Sequence, residues 1–321
     1  MQPLGIPSVS SEEVSAISSR LDRDWQIRLR TRAQYIDELE SIPDEAAVAR
    51  LYAAEAAAAA QFQAGSRKSN LEVETGYFRA VAAPGLHGLI TSRHRAWILD
   101  AIALAVSVVR ANHITGGILD VGCHAGHAAS VLAHHLPNSI AGIDPLREAI
   151  DFGSAHAGRH PRVQLRHARM PLFGSDRFAL ILSVDAIPQK QKGFEEHIAS
   201  YARNLEDDGI AIIVSSGWDH LDRARLNRIL RKAKLGCKKA GVLGGYGGAN
   251  EGEDNNFETR MVLILRKGAT TVLPEDDTFF DIATSGWDAF RDYANASGTP
   301  ITEKTHAFYW ANVGANAAAT A

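Results

Sequence analysis

Gly117-Ile118-Leu119-Asp120-Val121-Gly122-Cys123-His124-Ala125-Gly126-His127 reads as a short buried strand, a tight glycine turn and the start of a helix. Glycine adds no Cβ and tolerates positive φ, so such a turn brings backbone close to a small charged ligand. The first N–H groups of the helix have no intrahelical partner and favour an anion. A second acidic position follows in Ala141-Gly142-Ile143-Asp144-Pro145, where the next strand is expected to end. A glycine turn at one strand end and a carboxylate at the next suit a nucleoside-containing cofactor with ribose hydroxyls to hold.

Outward from this point, short apolar runs alternate with helical patterns. Strands are expected at 118–121, 140–143, 163–166, 178–184, 210–214 and 261–265. Helices are expected at 92–111, 125–135, 146–157, 194–205 and 220–235. Continuous rather than alternating apolar strands mean burial on both faces, hence an α/β fold with a doubly wound, mostly parallel sheet. Leu243 to Asn256 is rich in glycine and polar residues and reads as a long loop. Residues 1–90 read as a helical N-terminal region. Ser10 with Glu13 is a capping-box pattern. Val14, Ile17, Leu21, Trp25 and Leu29 then form one apolar stripe. Pro43 interrupts, and an alanine-rich helix runs from Asp44 to Gln63. Residues 269–321 form an extension too aromatic for a disordered tail, expected to fold back on the core or make a dimer contact.

The 321 residues exceed the usual single-domain size, and a formal charge of −3 gives no electrostatic case for nucleic acid as the partner. Two cysteines exclude a disulfide framework and a cysteine-based zinc site, and fit a reducing compartment. The N-terminus has no basic or apolar signal region, and the longest apolar run, Ala101 to Val109, is too short to span a bilayer. A cytoplasmic protein without membrane contact is expected, and no metal site. His134 and His135 read as a solvated helix end.

The ordered set of motifs resembles a class I (Rossmann-like) S-adenosylmethionine (SAM) methyltransferase over roughly residues 91–268. Asp120, Gly122 and Gly126 match the family's acidic residue and its alternating glycines. Asp144 matches the acidic residue ending the second strand. Met170-Pro171-Leu172 and Asp176 to Asp185 resemble its third-loop and fourth-strand segment, and Leu205 to Ile210 the turn before the fifth strand. The resemblance implies a seven-stranded sheet. It also implies SAM as cofactor, with Asp120 shaping the turn or holding the methionine amino end and Asp144 accepting both ribose hydroxyls. Ser183 would border the methionine part, and His167 and Ala168 would lie at the adenine.

Two residues depart from the pattern. His124 stands at the middle glycine, where its ring either faces the cofactor or points to the helix side. His167 stands where an aspartate often meets the adenine amino group. A dinucleotide fingerprint fails, because His124 and His127 occupy two of its three glycine positions.

On the acceptor side, Asp185 lies just beyond the fourth strand, and His220 is the best candidate base after the fifth. Tyr77, Phe78 and Tyr246 are aromatics that could line an acceptor pocket or serve as packing. The expected activity is methyl transfer to an oxygen or nitrogen of a small molecule, with a homodimer as one arrangement. The alternatives are a methyltransferase-like partner or ligand-binding protein without catalysis, and a SAM-binding enzyme with non-methylating chemistry.

Overall fold

The computed structural model describes residues 10–28, 30, 32–63, 75–76, 78–80, 82, 86–92, 95–156, 158–172, 174–187, 191–215, 222–246, 257–269, 273, 290, 292, 295–296 and 307–311. Among the described residues the chain begins with the helices α1 (Ser11–Trp25), α2 (Arg32–Glu40), α3 (Glu45–Gln63), α4 (Leu86–Thr91) and α5 (Arg95–Ala111). The α/β alternation follows as β1 (Ile118–Val121), α6 (His127–His135), β2 (Ile140–Asp144), α7 (Arg147–Ala155), β3 (Val163–His167) and β4 (Phe178–Val184). It continues as α8 (Gln191–Asn204), β5 (Leu205–Ser215), α9 (Arg223–Ala233), β6 (Leu235–Tyr246), β7 (Phe257–Lys267) and β8 (Ala307–Ala311).

The strands form one sheet in the order β3-β2-β1-β4-β5-β7-β6-β8. β1 to β5 are mutually parallel, whereas β7 runs antiparallel between β5 and β6. The chain order reverses direction between β1 and β4. A crevice opens outside the strand ends at such a switch point, and ligands bind there in open α/β sheets.

The buried strands alternate between two cores. Ile118, Leu180, Leu182, Ile210, Ile212 and Val214 pack beneath α1, α5 and α6. Leu119, Val121, Ile181, Ala211 and Ile213 pack on the opposite face beneath α8 and α9, with Phe194, Ile198 and Leu226. This two-sided burial explains the unbroken apolar runs. Each such side chain contributes about 1.5–3 kcal/mol relative to an exposed one.

The helical region joins the first core through α1. Ser10 accepts the Glu13 N–H at 3.1 Å as the N-cap. The Glu13 carboxylate bonds Arg110 of α5. Ile17, Leu21 and Trp25 are buried, and the helix stops at Trp25 because Gln26 turns left-handed at φ 57°. Leu29 lies outside the described residues. The short α4 and α2 form a separate apolar cluster with Phe78, Leu146 and Ala149, which reaches α7.

The expected α/β sheet of seven strands is present as β1 to β7, and Ala307–Ala311 of the C-terminal extension adds an eighth by pairing with β6. Two expectations need correction. The loop expected from Leu243 begins too early: 243–246 end β6, and 247–256 lie outside the described residues. Gly244-Gly245 and the Lys238-Lys239 pair at a bulge hide the strand's apolar alternation. β5 starts at Leu205, five residues before the apolar run, and accommodates Asp208 at φ 64°.

Candidate functional site

The turn after β1 takes positive φ at three alternate residues: Gly122 (73°), His124 (52°) and Gly126 (79°). The glycines have steric reasons beyond φ. A Cβ on Gly122 would come 2.4 Å from the Ala186 Cβ, and one on Gly126 would come 2.6 Å from Leu165 Cδ2. His124 adopts the same left-handed backbone class as its glycine neighbours. A non-glycine residue there costs about 1–2 kcal/mol.

The His124 ring points to the helix side. It meets Phe78 edge-on at 4.9 Å and stacks on His87 at 5.7 Å with 9° between planes. His127 lies edge-on at 6.2 Å. Of the two readings of His124, the helix-facing one describes this geometry. His87 is 4% exposed, and neither ring nitrogen has a hydrogen-bond partner. Leaving a buried donor or acceptor unsatisfied costs about 1–3 kcal/mol. Burial, reinforced by His124 and His156, pushes the His87 imidazole down to about 3, so it is neutral at physiological pH.

Asp144, at the end of β2, holds the turn from the other side. Its Oδ2 accepts the His124 N–H at 2.8 Å, and its Oδ1 accepts the Leu146 N–H at 2.8 Å. These bonds only partly offset burial, which raises its pKa from the ordinary carboxyl value. A carboxylate offers about four lone-pair sites, so two bonds leave capacity for a vicinal diol.

Asp120 occupies the floor. Gly126 is the N-cap of α6 but has no side chain to cap with. The Ala129 backbone N–H of that helix acts on the Asp120 carboxyl of β1 and only partly offsets the upward push of burial. Asp120 Oδ2 has no partner, and the residue is 3% exposed. Burial and the nearby Asp144 push its pKa up to about 7. A buried acidic oxygen with an open acceptor position suits an ammonium donor.

The remaining candidates fall out differently. His167 ends β3, and its Nε2 lies 3.0 Å from the Pro145 carbonyl. A carbonyl only accepts, so Nε2 carries a proton in this contact. The Ala168 N–H donates to the Asp144 carbonyl at 3.1 Å, closing the corner between β2 and β3. The Ser183 side chain is fully buried, and its Oγ accepts the Tyr201 hydroxyl at 2.9 Å on the α8 side. Only its backbone borders the strand ends.

Asp185 follows β4 at φ 49°, and its Oδ2 accepts Arg260 Nε from β7 at 2.9 Å. That pairing was not legible in sequence, because Arg260 is 75 residues away and no spacing connects them. His220 and Tyr77 lie outside the described residues, as does the Tyr246 side chain. Phe78 is buried as packing for His124 and Phe152. Cys123 is buried, and its thiol is pushed well up by burial and the two aspartates, which removes it as a nucleophile. The sequence reading passed over His87, whose place beside His124 depends on α4 folding back over the turn.

Residues 118–209 match the family model of a methyltransferase domain. Among curated proteins, none matches the chain. Solved structures similar to it include the N-methyltransferase NodS from Bradyrhizobium japonicum WM9. That structure has 16% identity and a TM-score of 0.41, covering 55% of this chain and 97% of that one. Another is magnesium protoporphyrin IX methyltransferase from Synechocystis PCC 6803 with bound S-adenosylhomocysteine (SAH). It has 11% identity and a TM-score of 0.44, covering 59% of this chain and 92% of that one. A SAM-dependent methyltransferase from Methanosarcina mazei has 16% identity and a TM-score of 0.39, covering 48% and 92%.

Proposed function

We infer that this chain, whose residues 118–209 match the methyltransferase-domain model, transfers a methyl group from SAM to an oxygen or nitrogen of a small molecule. The observation that carries the reading is the Asp144–His124 bond. It sets a ribose-type acceptor against a turn with positive φ at all three alternate positions. The cofactor fits the residues present. The orphaned Asp120 Oδ2 suits the amino end of the methionine part, and the spare lone pairs of Asp144 suit the ribose. His167 Nδ1 would accept from the adenine amino group in place of a carboxylate, with Ala168 beside it.

When bound, SAM supplies a methyl group made electrophilic by its sulfonium. The protein's own task is then alignment. Held reactants in attack geometry replace most of the entropy cost of a bimolecular step. The backbone of the turn would hold the donor side, and the Asp144 carboxylate would hold the ribose hydroxyls. Asp185, one oxygen of which accepts from Arg260, is the proposed group for orienting an acceptor beyond β4. His220 is the proposed base for an acceptor proton. The near-balanced charge, −3 over the chain, favours a small molecule over nucleic acid. No described helix is long and apolar enough to cross a membrane.

Calorimetry with SAM and SAH tests the reading. Binding near the micromolar range is expected, with a loss of about tenfold or more in Asp144→Ala. A candidate acceptor should then gain one CH2 in mass. A well-folded chain that binds neither compound would overturn the proposal and favour the non-catalytic partner. A product of unchanged mass would favour non-methylating chemistry.

A further inference from the structure

We propose that His87, His124 and His127 form a binding site for a zinc-type divalent transition metal, which ties the helical layer to the cofactor turn. One ligand atom from each of the three imidazoles lies within 4.8 Å of the others, the one such group among the described residues. His87 comes from α4, His124 from the turn and His127 from the first position of α6. The site therefore joins three segments that share no strand pairing.

Packing alone does not account for His87. Phe78 lies edge-on to it at 5.9 Å, and Phe152 tilts against it at 4.6 Å. A phenyl ring would serve those contacts as well. An imidazole there instead brings two polar nitrogens into an apolar wall, and neither finds a hydrogen bond. A metal is the partner that such a nitrogen lacks.

The donor set selects the ion. Imidazole nitrogen suits Zn²⁺, Co²⁺, Ni²⁺ and Cu²⁺, whereas Ca²⁺ and Mg²⁺ demand oxygen. Tetrahedral zinc holds nitrogens at about 2.0–2.1 Å, hence about 3.3 Å apart. The three ligand atoms, within 4.8 Å of one another, must close by about 1.5 Å at most. Water completes the coordination on the side of His124, the one of the three that is not buried. This site needs no SAM, so its failure and the failure of the methyl-transfer reading are separate results.

The test is titration of chelator-treated full-length protein with Co²⁺, followed by its visible absorption. Expected are the intense bands of a four-coordinate ion, one Co²⁺ per chain, and displacement by Zn²⁺. His87→Phe, which keeps the aromatic wall, should weaken binding by about 100-fold. His127→Gln should do the same, with circular dichroism confirming the fold of each. The surface pair His134→Ala/His160→Ala should bind as wild type. No stoichiometric uptake by the folded chain, undiminished uptake in His87→Phe and His127→Gln, or loss only in the surface pair would each overturn the site.

Discussion

Asp144 Oδ2 accepts the backbone N–H of His124 at 2.8 Å, so a side chain at the end of one strand fixes the turn that follows its neighbour. The same carboxylate accepts the Leu146 N–H through its other oxygen. Each oxygen accepts its own backbone donor, so no single-oxygen substitute serves. In Asp144→Asn the amide nitrogen must face one of the two N–H donors. The expected outcome is a stability loss of about 1–3 kcal/mol, read by urea unfolding, together with at least tenfold weaker SAM binding. Native stability in that variant would contradict the turn's dependence on Asp144.

Ser183 separates packing from cofactor contact. Its Oγ faces Tyr201 inside the sheet, not the crevice. Ser183→Ala should therefore leave SAM affinity within about threefold while lowering stability by about 0.5–1.5 kcal/mol, since the Tyr201 hydroxyl loses its acceptor. Tyr201→Phe should destabilise by a similar amount. A SAM affinity that collapses in Ser183→Ala with stability intact would place the hydroxyl at the cofactor after all.

The sequence exposed those parts of the fold that depend on local pattern. The run from Ile118 to Val121 and that from Phe178 to Val184 are legible because both faces of β1 and β4 are buried. β6 escaped because Lys238, Lys239, Gly244 and Gly245 break its alternation, and its pairing with β7 and β8 is set by segments far along the chain. At the site, Asp120 and Asp144 were visible because strand ends announce themselves. The φ of His124 was not, since glycine is the residue that signals a left-handed turn. The Arg260–Asp185 pair and the His87–His124 stack arise only when distant elements meet.

Ser10 offers a check on the helical layer. Its Oγ accepts the Glu13 N–H, and α1 carries Ile17, Leu21 and Trp25 into the first core. Ser10→Ala should cost about 1 kcal/mol, while Ser10→Asp should retain the cap and add a favourable charge at the helix N-terminus. Thermal unfolding of the two variants side by side decides it. Equal losses in both would mean that the cap does not stabilise α1.

Asp120 gives the pH dependence its sign. Burial raises its pKa from 3.8 to about 7, so the folded chain holds this proton more tightly than the unfolded chain does. For a carboxyl displaced upward, the contribution to stability is fully present below the unfolded value. It is lost as pH rises from there toward 7, at up to about 1.4 kcal/mol per pH unit, and stays lost above. Asp120→Asn keeps an oxygen for the Ala129 N–H and cannot ionise. Urea unfolding between about pH 5 and pH 8 should show wild type weakening with pH and the variant nearly flat in this component. The variant should be the weaker SAM binder at the upper end, because a neutral amide offers an ammonium less than an ionised carboxylate does. Parallel stability profiles for the two proteins would show that Asp120 does not titrate in this range.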